Sequence, residues 1–291
     1  RSAAIAIDNA VLYKYYQVMF PTVRDAAAAN SMQIAEIELI GEEVRPTIAW
    51  VSFHTDQDDA PSDAANGAGG VTEAVDKGYT DLLKANGYNV IRTYTSKTPD
   101  VDLLESVDLV MTSRSVNSGD YSGDGASVWN GITTPMIILG GYPLRSSRMG
   151  YATGATMDDT EGDISLAVND PAHPIFAGIE LVDGVMANPF AGIVEYPDGT
   201  VSRGVSVEMT EKNAEGVILA TVGTADDPTF GGMVIGEWQA GATLTHNAGE
   251  DVLGGHRLVF LTGSREQSYT SQTAGFYDLY ADGEAMFLNA V

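Results

Sequence analysis

Asp108-Leu-Val-Met-Thr112, then a helical stretch carrying Trp129, then Pro135-Met-Ile-Ile-Leu139: this passage decides the fold. The runs are apolar almost throughout rather than alternating, as strands buried on both faces require, and a helix-length segment separates them. The same grammar extends outward. Upstream, Ile48-Ala-Trp-Val-Ser-Phe53 reads as a short strand and residues 54–70 as a polar loop. A helix is predicted over residues 71–85 with its stop at Asn86-Gly87, then a strand over 89–94 and a short helix over 99–105. Strands alternating with helices predict an α/β fold, a doubly wound, mostly parallel, flavodoxin-like sheet covered on both faces.

Beyond Tyr151 the helical signal thins. Residues 185–196, 201–209, 216–222, 233–238 and 257–261 read as strands of a meander, so the second half is β-rich, and residues 272–291 read as a closing helix. The first 44 residues differ again. Val11-Leu-Tyr-Lys-Tyr-Tyr-Gln-Val-Met-Phe20 and Met32-Gln-Ile-Ala-Glu-Ile-Glu-Leu-Ile40 read as two strands, too few to hold a core without leaning on something else. Arg45-Pro46 punctuates the chain, which places a boundary near residues 42–46 and divides it into 1–44 and 45–291.

Composition narrows the chemistry. The 291 residues carry 40 acidic and 15 basic side chains, a formal charge of −25, 44% hydrophobic residues and no cysteine. The apolar content suffices for a core, so a folded chain is expected. The charge repels phosphate backbones and anionic lipid, which argues against nucleic-acid partners. No apolar run approaches the ~18 residues of a membrane span, so no membrane insertion is expected. Without cysteine there is no disulfide, thiolate nucleophile, zinc–thiolate site or iron–sulfur cluster. Arg1 stands where an initiator Met would, and no signal peptide precedes it; the expectation is a processed segment of an extracellular or cell-surface bacterial protein.

Two resemblances follow from the residues. Residues 47–291 resemble the class I glutamine amidotransferase-like superfamily, nearest its trehalose-utilisation (ThuA-like) branch. The likeness is carried by the first strand and its polar loop, Asp108-Leu-Val-Met-Thr-Ser-Arg114-Ser-Val-Asn117, Thr134-Pro-Met-Ile-Ile-Leu-Gly-Gly-Tyr142-Pro-Leu-Arg145, Asn169-Asp-Pro-Ala-His173-Pro-Ile175 and Gly263-Ser-Arg265. Residues 20–41 resemble the last strands of a discoidin-like (coagulation-factor C-type) domain, a galactose-binding-type sandwich, of which only the tail is present. The first resemblance implies a nucleophilic Cys on an elbow after the fourth strand. Here that position falls in Gly140-Gly-Tyr142-Pro-Leu144, which has no Cys, and Pro143 removes a backbone donor. Glutaminase chemistry is thereby excluded.

The remaining candidates each have a bland reading beside them. Ser146 with His173, which the resemblance places near the ligand edge of the sheet, is a weak nucleophile–base pair; a helix-capping hydroxyl and a packed histidine is the alternative. Asp56 and Asp58 after the first strand, and Asp120 and Asp124 after the third, belong to loops expected to be neighbours, since ligands of open parallel sheets bind beyond the carboxyl strand ends. Such oxygens suit Ca²⁺, or acid–base work by Asp56 and Asp120; a solvated acidic loop is the alternative, and otherwise no cofactor is expected. Of the ten arginines, Arg114, Arg145, Arg148 and Arg265 all follow predicted strands. With Asn117 and Tyr142 they would bind a saccharide or an anionic small molecule such as a uronate or sulfated sugar, or else pair with the acidic loops. Trp50, Trp129 and Trp238 read as core.

Three functions remain open: a non-catalytic, carbohydrate-associated binding or structural module; a hydrolase of carbohydrate-derived substrates using those Asp, Arg, Ser or His residues; and a self-assembling surface protein, a homo-oligomer pairing through residues 11–40.

Overall fold

The computed structural model describes residues 45–66, 70–201, 204–213, 215–266 and 270–291. Internal contacts divide the chain into Arg1–Arg45 and Pro46–Val291, and the sheet and helices belong to the second unit. The strands expected at 11–20 and 32–40, and with them the discoidin-like segment, lie outside the described residues.

Five strands form the parallel core: β1 (Thr47–Ser52), β2 (Asn89–Tyr94), β3 (Leu109–Thr112), β4 (Met136–Ile138) and, much later in the chain, β13 (Arg257–Phe260). Between them in sequence lie β5 (Asp158–Asp159), β6 (Leu166–Val168), β7 (Val185–Met186), β8 (Ser206–Val207), β9 (Val217–Val222), β10 (Met233–Trp238), β11 (Thr243–His246) and β12 (Gly249–Val252). The helices are α1 (Asp63–Asn66), α2 (Lys77–Ala85), α3 (Val101–Glu105), α4 (Asp124–Gly131) and α5 (Ala281–Ala290). One nine-stranded sheet runs β2-β1-β3-β4-β13-β10-β9-β6-β7. The first five strands are mutually parallel, while β10, β9, β6 and β7 continue the sheet antiparallel. The α/β class and the β-rich second half are therefore as the sequence predicts.

Both faces of the sheet are covered. Arg257 and Phe260 are three residues apart on β13 and so point to opposite faces. Phe260 meets Phe287 of α5 with ring centroids 5.7 Å apart, and Phe287 in turn meets Tyr79 of α2 at 5.6 Å. On the other face the buried Arg257 guanidinium donates to the carbonyls of Asn130 (3.2 Å), Ile132 (2.5 Å) and Thr134 (3.2 Å), at and beyond the end of α4. A helix terminus leaves its last carbonyls without intrahelical partners, and a cation there meets both the lone pairs and the dipole. Trp50, Trp129 and Trp238 are all fully buried, as core residues.

Four predicted elements are markedly shorter than expected. The helix expected from residue 71 begins at Lys77, because Val71 and Val75 turn away to pack on Tyr196 and Asp76 enters the core as an acceptor. The strands expected over 185–196 and 201–209 contract to β7 and β8; Asn188 adopts φ 39° and Pro189 supplies no amide, so the ladder cannot run on. The closing helix expected over 272–291 reduces to α5. Gly275, at φ 98°, and an extended stretch bridging Leu279 to Phe190 occupy the rest.

Candidate functional site

Parallel strands place their carboxyl ends at one edge, and here the chain leaves that edge at Phe53, Thr95, Ser113, Leu139 and Leu261. Backbone bonds knit these exits together: Phe53 N to Ser115 O (2.8 Å), Thr95 N to Ser52 O (2.8 Å), Leu139 N to Thr112 O (2.9 Å) and Thr262 N to Leu139 O (3.2 Å). The strand order reverses at β1, so the crevice between β1 and β3 is where an open sheet of this kind ordinarily receives a ligand. In this chain it is filled from within. Asp76, fully buried, accepts on one oxygen from Trp50 Nε1 (2.9 Å), Ser52 Oγ (2.7 Å) and Ser113 Oγ (2.6 Å), and its other oxygen pairs with Arg92 at 2.8 Å. Burial pushes the Asp76 carboxyl up, but Arg92 and the three donors together hold it below its ordinary range. Residues 271–273 close the crevice from above, with His54 Nε2 3.0 Å from Gln272 O and Ser115 Oγ donating to Ser271 O at 3.2 Å.

Beyond β4 and β13 the edge carries half-buried side chains. Gly140 and Gly141 lead from β4 into a short 3-10 turn, Tyr142–Leu144, and both are closely packed: a Cβ on Gly140 would stand 3.3 Å from Arg114 Cα. A Cβ on Gly141 would stand 2.1 Å from the Met157 methyl and 3.0 Å from Ser206 O. The half-buried Tyr142 ring is the centre of an arginine cluster. The guanidinium carbons of Arg114 and Arg145 lie 4.8 and 4.9 Å from its centroid, and Arg265 Nη2 donates to its hydroxyl at 3.4 Å. The structure therefore brings together Arg114, Tyr142, Arg145 and Arg265 as the sequence proposed, with Arg148 one turn on, its amide donating to Arg145 O at 2.8 Å. Asn117 belongs to the rim. Its side chain accepts from Gly119 N (3.0 Å) and donates to Asp120 (3.2 Å), setting the turn from which Ser118 Oγ accepts Arg145 Nη2 at 3.2 Å.

The four arginines are not equivalent. Arg114, only 4% exposed, is paired with Glu266, and Arg265 is paired with Asp159 at 3.2 Å. Arg145 donates to Tyr142 O (2.9 Å) and Ala155 O (3.3 Å), and Arg148 to the carbonyl (2.8 Å) and hydroxyl (3.3 Å) of Ser147. No described carboxylate forms an ion pair with either of these two, and Arg148 Nε is buried with no described acceptor. Burial, then the like charges of Arg148 and Arg114, press the Arg145 guanidinium pKa downward against the opposing pull of Tyr142 and Glu208. Such a cluster is under electrostatic strain that a bound anion relieves. Glu266, Asp159 and Ser118 were invisible as members because nothing in their spacing ties them to strands distant in the chain.

Other sequence candidates are dispersed. His173 lies at the opposite edge, not the ligand edge the resemblance implied. It follows β6, which runs antiparallel to β9, and shares the carboxylate of Glu237 with His256, the residue just before β13 (Nε2 to Oε1, 3.7 and 2.8 Å). Its Nδ1 accepts from Ile175 N at 3.3 Å, so this nitrogen caps the turn that follows. Ser146 Oγ donates to Gly154 O at 3.0 Å. The histidine at the ligand edge is His54, which sequence reasoning passed over. Asp56 accepts from Asp58 N (3.2 Å) within its own loop, and Asp120 accepts from Thr95 Oγ1 (3.0 Å), tying the loop after β3 to the end of β2. Among the described residues no three His, Asp or Glu are placed to hold a metal ion. A cavity of 230 Å³, lined mainly by Ile48, Tyr88, Leu109, Met136 and Leu258 with Asp108 and His256 at its polar points, opens at the opposite edge, remote from the arginines.

The fold and this edge define an open α/β domain with a cationic, aromatic-centred surface beyond its parallel strands. No protein-family model matches the chain, and no curated protein matches it. Among solved structures it is similar to a ThuA-like protein from Bacteroides uniformis, at 7% identity over 86% of this chain and 92% of that one, TM-score 0.46. It is also similar to a cytoplasmic protein from Salmonella typhimurium (10%, 84% and 96%, 0.42) and to a protein from Thermoplasma acidophilum described as a GMP synthase subunit (10%, 85% and 93%, 0.37). The α/β assignment rests on the strand order itself and not on these likenesses.

Proposed function

We propose that residues 46–291 are a non-catalytic binding module, a glutamine amidotransferase-like domain of the ThuA-like type. Its ligand is an anionic, saccharide-derived molecule such as a uronate or sulfated sugar, bound at the Tyr142 cluster in a secreted or cell-surface setting. The observation that carries this reading is the pair Arg145 and Arg148, two guanidiniums without a described carboxylate partner in a chain of net charge −25. A surplus of acidic side chains makes it easy to neutralise a structural arginine, so two neighbouring guanidiniums without a described ion pair, one of them on an aromatic ring, argue for an anion from outside. The absence of catalysis is argued from the elbow. Tyr142 stands beside Gly141 where the resembling family carries Cys, Ser146 Oγ is engaged by Gly154 O, and His173, its candidate base, is at the other edge.

The test is calorimetric titration with glucuronate. Arg145→Ala and Arg148→Ala are each expected to weaken binding about tenfold, which corresponds to ~1.4 kcal/mol, the scale of one charge-assisted hydrogen bond. Both variants should unfold at nearly the wild-type temperature, because neither guanidinium anchors a described ion pair. Wild-type affinity in the double variant would sink the reading.

A further inference from the structure

We propose that Glu266 is an internal stand-in for a second anionic group of the ligand, and that the arginine site accepts dianions by displacing Glu266 from Arg114. This rests on the anion-site reading above and extends it to the class of ligand.

Arg114 is a buried guanidinium whose one ion pair among the described residues is with Glu266, and whose Nε has no described acceptor. A buried cation stripped of its counter-ion is strongly disfavoured, so something anionic has to occupy that place in every state of the protein. Two features make Glu266 a replaceable occupant. First, it is borne not by the sheet but by the segment that leaves β13, beyond Gly263 at φ 82°, where a Cβ would meet Gly275 Cα at 3.0 Å. Second, its side chain is 20% exposed against 4% for Arg114, so the carboxylate is the solvent-side member of the pair.

The position of Arg114 supplies the ligand logic. It shares the Tyr142 ring with Arg145, the guanidinium carbons standing 4.8 and 4.9 Å from the ring centroid. The two cations are therefore less than ~10 Å apart, a span that a six-carbon diacid or a shorter one can bridge across the ring. One anionic group of such a ligand meets the uncompensated Arg145 and Arg148, and the other exchanges with Glu266 on Arg114. Glu266 then swings toward solvent while Arg265 keeps its contacts with Asp159 and the Tyr142 hydroxyl. A monoanion engages only the first pair and leaves Glu266 in place.

The experiment titrates glucuronate, with one carboxylate, and glucarate, with two, into wild-type protein, Glu266→Gln and Glu266→Asp. Glu266→Gln is expected to bind glucarate about tenfold more tightly than wild type, while glucuronate affinity stays within about twofold. Glu266→Asp withdraws the carboxylate by one methylene and is expected to give a smaller gain for glucarate alone; it also carries the test if Glu266→Gln does not fold. If wild type binds glucuronate but glucarate affinity is unchanged or reduced in both variants, Glu266 is a structural counter-ion and the inference is overturned while the anion site stands. An equal gain for both ligands is general charge relief and overturns it as well. If neither ligand binds wild type or variants, the anion-site reading itself fails and the inference goes with it.

Discussion

Two buried aspartates show how differently one side chain behaves in one fold. Asp76 is met by a guanidinium and three donors and stays ionised, so its contribution to stability is present above the ordinary value of 3.8 and is lost as the pH falls from there through its own lowered pKa. Asp278 is also buried, but no cation meets it: its Oδ1 receives Tyr79 OH and Thr262 Oγ1, each at 2.6 Å, with help from the backbone amides of Gly263 and Asp278. Burial pushes its carboxyl up from 3.8 to about 6. Between those values the folded protein holds a proton that the unfolded chain has released, so this group's effect on stability is most favourable below about 4 and declines as the pH rises to 6. Asp278→Asn keeps an acceptor for Tyr79 and never ionises. It should raise stability at pH 8 by up to about 3 kcal/mol and flatten the pH 4–6 slope of urea midpoints, whereas a loss of stability at pH 8 would show that the ionised group is needed. At this scale the site was half legible in the sequence. Arg114, Tyr142, Arg145 and Arg265 could be grouped because each follows a strand, and strand ends of a parallel sheet share an edge. Their counter-ions could not, because Glu266 and Asp159 find them only through tertiary packing, and His173 was misplaced because β6 runs against the direction its motif implied.

Among the elements, the strands of the parallel half were legible almost to the residue because burial on both faces leaves an unbroken apolar run. The errors fall where a local signal was outvoted. Residues 71–76 continue a pattern compatible with helix, yet Val71 and Val75 pack on Tyr196 and Asp76 is drawn beneath β1 and β3, so α2 starts late. Its second residue, Gly78, permits this arrangement: a Cβ there would lie 2.6 Å from Tyr277 Cβ and 2.9 Å from Cγ, atoms fixed close to the backbone. Intrinsic helix propensity favours Ala over Gly by about 1 kcal/mol, whereas forced overpacking costs about 1–3 kcal/mol, so the clash should win. Gly78→Ala is expected to lower the urea midpoint with the denaturant slope unchanged, and a midpoint at or above wild type would mean that α2 and the 277 segment are free to separate. Arg257 shows the converse, a charged residue at the start of a strand that is fully buried because α4 ends on it.

For the molecule as a whole, the charge of −25 acquires a counterweight. The turn after β4 carries Tyr142, and at that ring stand Arg114, Arg145 and Arg265, with Arg148 next to Arg145; Arg114 and Arg265 form described ion pairs, Arg145 and Arg148 none. A strongly acidic surface repels anions at a distance, and its reach is limited to about 10 Å at 0.1 M salt, so an anion that arrives must be held by close guanidinium contacts at this edge. The most direct measurement is a crystal of the chain equilibrated with selenate, an anion that anomalous scattering locates unambiguously. The expected result is a peak within ~4 Å of the guanidinium groups of both Arg145 and Arg148, beside the Tyr142 ring. Selenate bound elsewhere, with those two arginines bare or turned onto carboxylates of the protein itself, would contradict the account.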